Sequence, residues 1–90
     1  VSGEIAIKLG NLMKQMASSH QLITISHLPQ IAARGQAHYF VYKDSSAKKT
    51  VSTIKLLNEN ERVEEIAKMI GGDKPSRVAL ENAQELLSLS

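Results

Sequence analysis

A chain of 90 residues makes at most one small domain, and its stability margin is thin because so short a chain buries a modest share of its unfolded surface. With 42% hydrophobic but only 3% aromatic residues its core has to be aliphatic; the absence of cysteine excludes a disulfide framework and any thiolate site, and is compatible with a reducing cytoplasm. No apolar run approaches the length of a membrane span, and a formal charge of +2 falls far short of the dense basic stripe that would by itself indicate nucleic acid.

The chain opens on Val1 rather than Met, and "VSGEIAIKLG" enters a helix with no leader or export signal before it, so the sequence is expected to begin inside a longer protein. Ile5, Leu9, Leu12, Met13 and Met16 recur at three- and four-residue steps, which predicts a helix from Ser2 to about Ala17 with one apolar face. Ser2 suits the N-cap, and Glu4 meets the positive end of the helix dipole. "LITIS", Leu22 to Ser26, is a short apolar run rich in β-branched residues, as in strands buried on both faces. Pro29 in a first turn and Gly35 as a stop predict a helix of about two turns.

His38 to Lys43 and Thr50 to Leu57 alternate as strands, and the polar link "DSSAKK" between them predicts a hairpin. The crossover from the first strand to the second is expected to be right-handed and their pairing parallel. Asn58 and Glu61 form a capping box; Val63, Ile66, Ala67 and Ile70 mark one helical face up to Gly71 and Gly72. A last helix starts near Pro75 with Val78, Ala79, Ala83, Leu86 and Leu87 facing inward. The predicted class is α/β in the order αβαββαα, a small mixed sheet of three strands with flanking helices.

His27 is the first candidate for chemistry, because an apolar strand ending in Ser26 and His27 would deliver the ring to the carboxyl end of a parallel strand, where open α/β sheets place their ligands. It could equally cap the helix that follows. His20, His27 and His38 match no zinc spacing and have no cysteine partner, so no metal site is expected. Ser26 beside His27 lacks the strained Gly-x-Ser-x-Gly turn of an acyl-transfer nucleophile. No Gly-x-x-x-x-Gly-Lys-Ser/Thr occurs in the 90 residues, and no apolar strand ends in Asp-Glu, so this chain cannot cradle a triphosphate and its magnesium alone. Lys43, Lys48, Lys49 and Lys55, with Arg34, could form a basic surface touching phosphates or DNA, but lysines on a hairpin edge more often guard it against edge-to-edge pairing.

"VSG" opening a helix, "ITISHLPQIAARGQAHYFVYK" and "NENERVEEIAKMIGG" closely resemble, in order and spacing, the C-terminal part of the RecN family of bacterial DNA repair proteins, SMC-like proteins with an ABC-type ATPase head. The resemblance implies that this is the C-terminal lobe of a P-loop NTPase head, acting in recombinational repair of DNA double-strand breaks. It places His27 at the switch histidine that contacts the γ-phosphate of ATP, with Ser26 beside the nucleotide, and Val1, Ser2 and Gly3 at the tail of the D-loop between two heads. ATP and Mg2+ are the implied cofactors of the whole protein, with none expected on this segment and no turnover by it alone. The implied partners are the N-terminal half of the same head, a second head on ATP binding, and DNA, in the bacterial cytoplasm at the nucleoid. An unpaired strand and an open apolar face would also make the segment self-associate. The other reading is a self-contained DNA-binding or protein-interaction module resembling a winged helix.

Overall fold

Ser2 starts the first helix as expected: in the computed structural model, which describes residues 2–45, 48 and 50–89, its Oγ accepts the Ile5 N–H at 3.2 Å and α1 runs Gly3–Ala17. A single turn, α2 (Pro29–Ala32), follows the proline that presets its backbone. The strands β1 (Tyr39–Asp44) and β2 (Val51–Leu56) pair antiparallel, in register from Tyr39 opposite Leu56 to Asp44 opposite Val51. Helix α3 (Glu59–Gly71) carries the full capping box, with Asn58 Oδ1 accepting the Glu61 N–H at 2.8 Å and the Glu61 carboxylate accepting the Asn58 N–H at 3.0 Å. It stops at Gly72, whose φ of 89° lies in the left-handed region that favours glycine. Ser76 then caps α4 (Arg77–Ser88) by accepting the Ala79 N–H at 3.2 Å.

The core is where α2, α3 and α4 meet, and it is built mostly from alanines. Ala33, Ile66, Ala67, Ala79 and Ala83 are buried together, with Val63, Leu80, Leu86 and Leu87 packed against them. Small residues at a helix contact let backbones approach closely, but they contribute little apolar area each, so Ile66, the one large side chain fully buried among the described residues, carries a disproportionate share. Helix α1 packs on α2 through buried Ala6 and Gly10. A Cβ at Gly10 would lie 3.1 Å from the Gln30 carbonyl oxygen and 3.0 Å from Arg34 Cγ, so this close approach requires glycine.

Several expectations are corrected. Residues 22–26 form no strand and no helix: no neighbouring strand among the described residues completes a ladder with them, and Ile23 and Ile25 are fully or almost fully exposed. The sheet therefore has two strands rather than three, with no parallel pair and no crossover, and the order is ααββαα. Helix α2 has one turn rather than two, because the chain leaves the helix at Ala33 before reaching Gly35. On α1 the apolar stripe of Ile5, Leu9, Leu12 and Met16 faces outward, while the neighbouring stripe of small residues makes the contact. Val78 points outward as well, and Ala79 and Ala83 line the α4 contact. No helix among the described residues is long and apolar enough to cross a membrane.

With Ile66 as the main large anchor, Ile66→Ala should destabilise the fold by about 2–5 kcal/mol. Urea denaturation should show this as a lower midpoint.

Candidate functional site at the Ser26-His27 turn

The turn at His27 is made by its neighbours and leaves the imidazole unused. Ser26 Oγ accepts the Leu28 N–H at 3.0 Å, a local side-chain turn that bends the chain between the apolar segment and α2. Leu28 is the N-cap of α2, with no side-chain cap, and its carbonyl accepts the N–H groups of Ile31 and Ala32 at 3.1 and 3.0 Å. His27 is exposed, and its ring makes no hydrogen bond among the described residues. The ring neither caps α2 nor bonds a local backbone group among the described residues.

The other end of α2 is held by a residue that sequence reasoning passed over. Arg62 of α3 is buried, and its Nη2 donates to the carbonyls of Ala32 at 3.3 Å, Ala33 at 3.4 Å and, nearest, Gly35. The final carbonyls of a helix have no partners within it, so a buried guanidinium supplies what the turn lacks. Burial lowers the Arg62 pKa, opposed by the nearby Glu59 carboxylate. A signal was available in the sequence: Arg62 stands four residues before Ile66, on the stripe that faces inward, whereas the charged residues around it suggested an exposed face.

Arg34 is buried too, donating from Nη1 to the Leu86 carbonyl at 3.5 Å, which removes it from any basic surface. Lys55 is engaged as well, paired with the Glu61 carboxylate, and the hydrogen bonds from Lys55 and from the Asn58 backbone hold the Glu61 pKa below its ordinary value. Lys48 is exposed in the hairpin link, and Lys49 lies outside the described residues. Arg34 and Lys55 are therefore engaged within the fold rather than free to join a phosphate-binding face. Between the hairpin and α3 the lining is mixed: stacked Phe40 and Tyr42, with ring centroids 5.8 Å apart, share it with Lys55 and with Glu61, Glu64 and Glu65. Of the three residues expected at the tail of a D-loop, Val1 lies outside the described residues, Ser2 caps α1, and Gly3 is the first residue of that helix. Among the described residues no group of three or more His, Cys, Asp or Glu side chains converges to hold a metal.

No family model matches this chain. Its relatives are more informative. Over 89 residues, 99% of the chain, it is 42% identical to the DNA repair protein RecN of Rickettsia conorii. Over 88 residues it is 42% identical to RecN of Deinococcus radiodurans, and over 87 residues 36% identical to RecN of Vibrio cholerae. The chain corresponds to one segment of RecN. It covers 16% of the length of the Rickettsia relative and 15% of the Deinococcus one. With matches spanning 97–99% of the chain in these relatives, the Ser26-His27 turn, α2 and Arg62 all fall within RecN-like sequence.

Beside this site, His38 is half-buried, and its pKa is lowered from the ordinary 6.5 by burial first and then by the Arg62 charge, against the opposing pull of Glu65. A histidine whose folded pKa is depressed stays neutral in the fold while the unfolded chain takes up a proton. Its effect on stability is therefore absent above pH 6.5 and appears as a loss when the pH falls below that value toward the folded pKa. Unfolding free energies measured from pH 7.5 to 5 should fall less steeply in His38→Asn than in the wild type.

Proposed function

We propose that this chain is the C-terminal lobe of the ATPase head of a RecN DNA repair protein, and that His27 is its γ-phosphate sensor. The observation that carries the reading is an exposed imidazole with no hydrogen bond among the described residues, held at the end of an apolar segment by Ser26 and Leu28, in a chain that resembles RecN along its length. Neutral histidine has one donor and one acceptor nitrogen, so a ring that the fold does not engage can donate to a phosphate oxygen. Phosphoryl transfer depends mainly on positioning and charge stabilisation, and in that setting His27 acts as an electrostatic aid and detector of the terminal phosphate rather than as a nucleophile.

The residues of this segment fit only that part of the site. Ser26 keeps its hydroxyl proton to donate toward the nucleotide, since its oxygen is the atom already bound by Leu28. A phosphate-cradling loop and paired carboxylates for Mg2+ are not among these 90 residues, so on this reading they belong to the N-terminal half of the head. Ser2 and Gly3, at the start of α1, complete the D-loop toward a second head. Repair of double-strand breaks, contact with nucleoid DNA and ATP turnover are then properties of the whole cytoplasmic protein. The burial of Arg34 and the pairing of Lys55 favour this reading over a self-contained DNA-binding module.

In the complete RecN protein, His27→Ala should lower the steady-state rate of ATP hydrolysis by about 10²–10³-fold, the effect of removing one charge-stabilising donor. Because the ring is exposed, the melting temperature should hardly move. Wild-type turnover in this variant would reject the assignment. The segment by itself, with Ile23, Ile25 and the outer stripe of α1 uncovered, should self-associate; sedimentation velocity across a hundredfold range of concentration should show growth beyond the monomer.

A further inference from the structure

We propose that Arg62 is the positioning residue for His27, fixing the single helical turn from whose N-terminal end His27 projects; this rests on the reading of His27 given above. Four residues cannot hold a helix by themselves, since nucleating one turn fixes several residues for one or two hydrogen bonds. Helix α2 persists because it is gripped from outside. At its C-terminal end Arg62 Nη2 gathers the carbonyls of Ala32, Ala33 and Gly35, and at its flank Gly10 lets α1 approach the Gln30 carbonyl.

The connection from this grip to His27 is short and continuous. Leu28, the residue after His27, is the N-cap of α2, and its carbonyl is hydrogen-bonded to Ile31 and Ala32. Ala32 is also one of the residues whose carbonyl Arg62 holds. Moving or melting the turn at its C-terminal end therefore moves the Leu28 backbone, and with it the Leu28 N–H that anchors Ser26. One terminal nitrogen of the Arg62 guanidinium, Nη2, meets all three carbonyls, and the guanidinium keeps its charge when buried, whereas a lysine ammonium sits on a flexible stem of different shape and loses its charge more readily on burial. Its Nε is buried without a partner among the described residues, so the bonds that offset the burial of Arg62 are those of Nη2 to these carbonyls.

The test uses the complete RecN protein with Arg62→Lys, Arg62→Met, His27→Ala and the double variant Arg62→Lys with His27→Ala. Arg62→Lys should lower kcat at least tenfold with KM within about twofold, Arg62→Met should lower it further, and adding Arg62→Lys to His27→Ala should cost no additional activity. Hydrogen–deuterium exchange without nucleotide gives a second readout: amides of residues 28–35 should exchange at least tenfold faster in Arg62→Lys, while those of α4 keep their wild-type rates. Should Arg62→Met fail to fold, Gly10→Ala, which presses on α2 from the opposite side, should give the same kcat loss and the same local exchange. Wild-type kcat in Arg62→Lys, a multiplicative loss in the double variant, or acceleration spread evenly over the head would overturn the proposal and leave the role of His27 standing. Wild-type turnover in His27→Ala would instead remove the reading on which it rests.

Discussion

The four-residue turn Pro29–Ala32 is the point on which the rest of the structure depends, because each of the three long helices reaches it. Gly10 brings α1 against its flank, Arg62 of α3 holds its last carbonyls, and Arg34, just beyond its end, reaches the Leu86 carbonyl of α4. Two buried guanidiniums in so small a core are costly to desolvate unless they find acceptors. Carbonyls at helix ends provide them, Arg62 meeting those at the end of α2 and Arg34 the Leu86 carbonyl in the last turn of α4, while Nε of each guanidinium has no partner among the described residues.

Outside this centre the molecule is open. Residues 22–26 pair with no strand among those described, the hairpin has two strands only, and the apolar stripe of α1 faces away from the core. A two-stranded hairpin is marginal in water without further strands or helices beside it. The same sequence pattern that predicted burial for Ile23, Ile25, Ile5 and Leu12 describes surfaces that only another layer could cover. On the reading proposed here that layer is the rest of the head; the chain spans 16% of the whole length of the Rickettsia relative.

What could be read in the sequence follows from how local the responsible physics is. The caps at Ser2 and Asn58, the stop at Gly72 and the hairpin depend on residues within a few positions of one another, and they fold as their spacing predicts, to within a residue or two at the strand ends. "LITIS" was misread as a formed strand because strand identity requires a partner, which no property of the five residues can supply. The inward role of Arg62 was missed for the opposite reason. Its neighbours Glu59, Asn60, Glu61 and Glu64 make the first turns of α3 look like a solvated face, and the acceptors that justify burying it lie 27 to 30 residues earlier.

A sensor of the terminal phosphate has to satisfy two demands that conflict in a single residue: its ring must be free of the protein, and its backbone must be fixed. The structure separates them. Ser26 and Leu28 take the local hydrogen bonding, so none falls on the His27 ring, while the fixing of the backbone is delegated to α2 and through it to contacts distant in sequence. Because the anchoring carbonyls belong to the turn and the anchoring guanidinium to α3, on the reading proposed here displacement of α3 by its neighbours in a complete head would be transmitted to His27 without altering any residue proposed to meet the nucleotide. The placement of His27 is then a property of helix packing, open to influence from whatever α3 and α4 touch.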